Sequence, residues 1–201
     1  DRVSPLLQCT DPALFHDGGE RDAAADPAAV PDLLFVANSR GVRRPIIDDA
    51  VRAGLDVGVY GSRWDGLIPE KQIRGTYLPN ERLRHHYANA KIVFNDHWQD
   101  MKREGFVSNR IFDAGACGAT IVSDDVPGMA DLFGDAVATY RNADDLGGTV
   151  RALLADDDRR KAMGAALRNI VLARHTFDHR VSDILDIVAR FQAPAALKEQ
   201  A

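Results

Sequence analysis

Residues 103–124 read Arg103-Glu104-Gly105-Phe106-Val107-Ser108-Asn109-Arg110-Ile111-Phe112-Asp113-Ala114-Gly115-Ala116-Cys117-Gly118-Ala119-Thr120-Ile121-Val122-Ser123-Asp124. The order is a polar loop containing glycine, a short helix over 109–117, a tight turn at Gly118 and a buried strand over 120–123. Ala114, Gly115 and Ala116 let such a helix pack tightly on a sheet. Its first amides then lie close to any ligand, and a helix start carries about half a positive charge. Ser108 and Asn109 can cap this helix or hold a phosphate. Asp113 follows one turn later, where a carboxylate can accept both hydroxyl hydrogens of a ribose.

Outward from this stretch, short apolar runs alternate with amphipathic segments from Pro31 onward, the pattern of β-α units and a parallel sheet. The strands expected are 33–37, 57–60, 73–77, 92–95, 120–123 and 136–140. Most are almost wholly apolar, as strands covered on both faces must be. Helices are expected over 44–53, over 81–90 with Asn80 as cap, over 109–117 and over 144–155. A further helical pattern from 157 breaks near His175, Thr176 and Phe177 and resumes to about 191. The fold class is α/β, a Rossmann-like parallel sheet of about six strands with helices on both faces. Residues 1–31, rich in Asp, Ala, Gly and Pro, read as a linker, 32–191 as the folded domain and 192–201 as a tail.

With 201 residues and 45% hydrophobic content, the chain has material for one core and too little length for two full domains. A net charge of -5 argues against a nucleic-acid binder, which needs a basic face. Cys9 and Cys117 match no metal or redox spacing and read as reduced thiols of a cytoplasmic protein. No apolar run approaches the roughly 20 residues of a membrane span. The chain opens on Asp1 rather than Met, which leads us to expect a piece of a larger protein whose other portion holds half of the site.

In an open parallel sheet, ligands bind beyond the carboxyl ends of the strands. The first strand runs into Asn38-Ser39-Arg40-Gly41-Val42-Arg43-Arg44-Pro45, where Gly41 permits close backbone approach and three arginines surround a helix start. Arginine supplies bidentate donors for phosphate oxygens, so this loop can hold a diphosphate. It matches neither a dinucleotide GxGxxG fingerprint nor a phosphate loop ending in Gly-Lys-Ser/Thr. His97, just past the fourth strand, faces the same expected cleft. His85 and His86, and His175 and His179, lack a third ligand and read as packing residues. Trp64 and Trp98 read as loop packing, with base stacking a minor alternative. Asp124-Asp125 and Asp156-Asp157-Asp158 read as a turn and a solvated helix start, so no metal site is expected.

The 104–124 segment resembles the signature of the group 1, retaining glycosyltransferases of GT-B fold. Ser108-Asn109-Arg110-Ile111-Phe112-Asp113 followed by Ala116-Cys117-Gly118 is most similar to the spore-maturation-type glycosyltransferase-like subfamily. Pro5 to Pro12, Asp32 to Val36, Tyr60-Gly61 with Trp64, and Tyr87 to Asn95 agree with that subfamily, so the resemblance runs from about Pro5 to Phe191. It implies that this chain is the C-terminal, donor-binding half of a two-domain enzyme whose N-terminal half binds the acceptor. A nucleotide diphosphate sugar would be the substrate, with no metal or other cofactor. Asp113 falls where the family binds the donor ribose, and Glu104 is the nearest match to the catalytic-site glutamate that contacts the donor sugar. Arg43 or Arg44 matches the basic residue on the diphosphate. Gly41, His97, Ser108, Asn109 and Arg110 complete the implied donor set, and 78–80 lie beside the base. Two departures stand out: Asp replaces Glu at 113, and Glu104 lies one residue further away than the family interval.

Those departures support an alternative, a degenerate module that binds a nucleotide or a protein without chemistry. A receiver-like signalling domain would need acidic residues after the first strand. Asn38, Ser39 and Arg40 stand there instead.

Overall fold

The structure, a computed structural model, describes residues 3–18 and 30–192. Six parallel strands form one sheet: β1 (Leu33–Val36), β2 (Val57–Tyr60), β3 (Ile73–Gly75), β4 (Ile92–Asn95), β5 (Ile121–Asp124) and β6 (Val137–Tyr140). Their spatial order is β3-β2-β1-β4-β5-β6, so the winding reverses between β1 and β4. Leu33 lies opposite Val57 on one side and Ile92 on the other, which fixes the register around that switch point.

The helices are α1 (Pro45–Arg52), α2 (Asn80–Asn89), α3 (Gln99–Glu104), α4 (Asn109–Ala116), α5 (Met129–Phe133), α6 (Ala143–Leu154), α7 (Asp157–Arg174) and α8 (Phe177–Gln192). Alternation along the strands divides the core. Leu33, Phe35, Ile92 and Phe94 face α1 and α6 through Ile46, Ile47, Leu146 and Val150. Leu34, Val93, Ile121 and Val137 face the other layer, with Ile111 and Phe112 of α4 and Leu167 and Val171 of α7. Fully burying each such side chain contributes about 1.5–3 kcal/mol. Both sheet faces are thus covered, as a parallel sheet requires.

The small residues of α4 serve its contact with α7. A Cβ on Gly115 would meet Leu167 Cγ at 3.0 Å, and one on Gly164 would meet the Gly118 carbonyl oxygen at 2.1 Å. The expected tight packing therefore has α7 as its partner, over the turn that closes α4.

Several expectations change. Asn80 is the first residue of α2, and the N-cap position expected for it is taken by Pro79, with no side-chain cap bond. Two short helices, α3 and α5, were not foreseen. α3 has no buried residue and so no apolar period to detect. Residues 3–18, read as a linker, lie against the domain: Thr10 pairs with Thr176, Cys9 is buried and Phe15 stacks on Tyr87 at 6.4 Å. The 193–201 part of the expected tail lies outside the described residues. Cys9 and Cys117 are both unpaired, and burial pushes the Cys117 thiol up to about 12, consistent with an inert thiol. Among the described residues no helix is long and apolar enough to cross a membrane.

Candidate functional site

The carboxyl ends of β1 and β4 frame a cleft of about 220 Å³. From the β1 side come Ala37, Asn38, Arg40 and Arg44; from the β4 side, Asp96 and Trp98; from α3, Met101; and from the start of α4, Ser108 and Arg110. The two segments singled out in the sequence therefore meet at one end of the sheet. A larger hollow of about 840 Å³ lies between 4–7 and α8, lined by Pro5, Leu6, Leu7 and Ile187 among others. It is the more apolar of the two. Convergent polar side chains beside helix starts mark a ligand site better than hollow size, so the cleft at the switch point is the stronger candidate.

The loop after β1 is built tightly. Arg40 and Gly41 both adopt positive φ, 58° and 79°. The Val42 amide returns to the Ser39 carbonyl at 3.3 Å, and Ser39 Oγ accepts from the Gly41 amide at 3.0 Å. Gly41 is needed for its φ, because a Cβ there would meet nothing within 4 Å. Arg40 carries a side chain in a conformation that costs about 1–3 kcal/mol, and such strain persists only where surrounding structure imposes it. Its guanidinium is exposed and sits 4.7 Å from the centre of the Trp98 ring.

The other arginines are committed to the protein. Arg44 makes a bidentate pair with Asp96, both buried, and lies 3.8 Å from the Trp98 ring centre. Arg43 is exposed, pairs with Asp48 on α1 and points away from the cleft. Arg110 donates through Nε and Nη2 to the Val36 carbonyl and through Nη1 to Asn95 Oδ1 at 2.8 Å, tying α4 to the ends of β1 and β4.

Around α4, Ser108 is the N-cap, and its hydroxyl accepts from the Arg110 amide. Asn109 is exposed and donates to Asp113 Oδ2 at 2.6 Å, while Thr10 Oγ1 donates to Oδ1 at 2.8 Å. Burial raises the Asp113 carboxyl to about 6, with the Thr10 hydrogen bond pulling the other way. Glu104 closes α3 with a side chain 67% exposed and bonded to Arg103, facing no part of the cleft.

His97 is placed differently from the expectation of a residue facing the donor. Its side chain is fully buried, and both ring nitrogens have protein partners, Asp124 and the Ser108 amide. Asp124, read as a turn residue, is buried at the end of β5 and also binds Lys102 at 2.8 Å. Burial raises its carboxyl, but the bonds from His97 and Lys102 outweigh that and leave it below the usual range. Trp64 packs edge-on against Phe35, while Trp98 forms a wall of the cleft. Leu78 is buried beside the start of α2. Arg40 was read only as one of three arginines around the helix start and Trp98 chiefly as loop packing, while Asp96 was not named; the signal for Asp96 was the strand end that it follows. Among the described residues, no three His, Cys, Asp or Glu side chains cluster as metal ligands.

Solved structures share this fold. Sucrose-phosphate synthase from Thermosynechococcus elongatus superposes with a TM-score of 0.70 at 18% identity, over 92% of this chain and 51% of that one. A glycosyltransferase from Rickettsia africae gives 0.68 at 13% identity, over 94% and 57%. The T4 phage BGT in complex with its UDP-glucose substrate gives 0.59 at 16%, over 93% and 51%. The chain thus spans little more than half the length of these proteins. No curated protein matches its sequence. The family described as Glycosyl transferase-like matches residues 40–186, most of the folded domain. On that match, laid over a six-stranded sheet with its cleft at the switch point, the chain belongs to the Glycosyl transferase-like family.

Proposed function

We propose that this chain is the donor-binding half of a GT-B glycosyltransferase that transfers a hexose from a nucleotide diphosphate sugar with retention at the anomeric carbon, of the spore-maturation-type subfamily. The observation that carries the reading is the convergence of Arg40, Trp98, Ser108 and Arg110 on one cleft at the β1–β4 switch point. Arg40 is the exposed guanidinium there, so it takes the diphosphate role first given to Arg43 or Arg44. The α4 start adds its dipole, and Asp113, one turn along α4 and outside the lining of this cleft, takes the ribose hydroxyls.

In the reaction, the bond from the anomeric carbon to the β-phosphate oxygen breaks and the nucleotide diphosphate leaves with the electron pair. The acceptor oxygen bonds to the same face, and its proton passes to the departing diphosphate. Charge growing on the diphosphate is held by Arg40 and the α4 start more strongly in the transition state than before it, so no metal is required. A cleft of 220 Å³ falls short of the about 300–1,000 Å³ of pockets that enclose ligands. It fits one wall of a site completed by an acceptor-binding domain.

Thermal shift with UDP, GDP, ADP and CDP tests the donor site. We expect stabilisation by one of them, lost in Arg40→Ala and Asp113→Ala; stabilisation by none removes the proposal. The position of Glu104, exposed and paired with Arg103, favours a second reading, a nucleotide-binding module without chemistry. Sugar transfer or donor hydrolysis by a chain that includes the partner half separates the two.

A further inference from the structure

We infer that His97 is a positioning residue, a neutral imidazole held as its Nδ1–H tautomer that sets the start of α4 at the floor of the cleft. The inference rests on the donor-site reading for its consequence, though not for its geometry. His97 Nδ1 lies 2.6 Å from Asp124 Oδ1, and the Ser108 amide donates to Nε2 at 3.0 Å. A backbone amide can only donate, so Nε2 must present a lone pair, and the one proton of a neutral ring then sits on Nδ1.

Asp124 is anchored to serve as the acceptor. Its Oδ2 takes the His97 backbone amide at 3.1 Å and Lys102 Nζ at 2.8 Å, and Ser123 Oγ approaches Oδ1 at 3.3 Å. Asn95 Nδ2, 3.5 Å from Nε2, donates instead to Ser123 Oγ at 2.9 Å. The chain of contacts thus runs from the end of β5 through the ring to the N-cap of α4. Ser108 in turn fixes the Arg110 amide, and Arg110 spans β1 and β4. Without an acceptor at Nε2, a Ser108 amide turned toward the protein interior loses its partner, and the α4 start shifts to find another.

The test uses two readouts. Nitrogen-15 NMR of the histidine side chains, recorded on the chain without nucleotide, should show the His97 tautomer with Nδ1 protonated and Nε2 bare. An Nε2–H tautomer or an imidazolium at neutral pH overturns the inference, whatever the protein binds. The second readout is affinity for UDP and GDP by calorimetry in two variants of similar polarity. Glutamine places its carbonyl oxygen near the Nε2 position, whereas asparagine stops near Nδ1. His97→Gln should keep affinity within about threefold of the parent, and His97→Asn should lose about tenfold. Equal affinities in the two variants overturn the positioning role, because a loss of packing alone would not distinguish them.

Discussion

The guanidinium of Arg44 closes on the carboxylate of Asp96, Nε to Oδ2 at 2.6 Å and Nη2 to Oδ1 at 2.5 Å, and so bolts the helix start after β1 to the loop after β4. Both side chains are almost fully buried, 4% and 2% exposed. Removing one partner of such a pair strands a buried charge at a cost of roughly 3–5 kcal/mol. For a domain of this size each kcal/mol lowers the melting temperature by about 2–4 °C. We therefore expect Arg44→Met to melt about 6–20 °C below the parent, with Arg44→Met/Asp96→Leu recovering part of the loss. A single variant that melts with the parent would show that the pair holds nothing together.

Arg40 should behave in the opposite way. It is exposed and its positive φ is a conformation glycine adopts freely. Arg40→Gly relieves backbone strain while adding unfolded-state entropy, so stability should stay within about 1 kcal/mol of the parent. Affinity for the stabilising nucleotide diphosphate should nevertheless fall about tenfold or more, since a charge-assisted bond to phosphate goes with it. Calorimetric titration beside a melting curve checks both halves. An unchanged affinity would move the diphosphate away from this loop.

The contrast between these two arginines shows what the sequence could convey. Apolar alternation located β2 and β4 to the residue, because burial on both faces leaves little freedom in what such strands contain. Ser108 located the start of α4, and its end, expected at Cys117, falls one residue earlier at Ala116. Which arginine of three presents an exposed guanidinium to the cleft depended on a turn with two positive φ angles, and Arg40 is not a residue from which that turn is read. His97 and Asp124 lie 27 positions apart and meet only because β4 and β5 are neighbours. A strand-end position indicates nearness to the cleft, but whether a side chain faces ligand or interior is decided by partners elsewhere in the chain. The docking of 3–18 escaped notice for a related reason. Its anchors, Thr10 on Thr176 and Asp113 and Phe15 on Tyr87, are single residues without a period.

Two glycines test the helix packing through one chemical change. Gly164→Ala would place a methyl 2.1 Å from the Gly118 carbonyl, backbone against backbone, and force α7 off α4. Overpacking of this kind costs about 1–3 kcal/mol or more. Gly148, inside α6, meets nothing within 4 Å of the same added atom. Gly148→Ala should instead stabilise by about 1 kcal/mol through helix propensity. Chemical denaturation of both variants reads the difference directly. Equal and small effects would mean that α4 and α7 are not as close as described.

Acid titration provides the last test, because half-buried Asp113 and buried His175 oppose each other in the same window. Burial raises the Asp113 carboxyl to about 6, so between about pH 4 and 6 the folded chain binds more protons there than the unfolded chain, and stability falls as pH rises. His175, packed against Phe112 and Phe133, is lowered to about 4, chiefly by burial and next by the Arg180 charge. There the unfolded chain binds the extra proton, so stability rises with pH through the same interval and the slopes partly cancel. Asp113→Asn removes the falling contribution and leaves the rising one. Melting temperatures from about pH 4 to 6.5 should therefore climb more steeply in Asp113→Asn than in the parent, and converge in slope above that range. Parallel curves across the whole range would mean that Asp113 is as well solvated in the folded chain as in the unfolded one, contrary to its placement under Thr10.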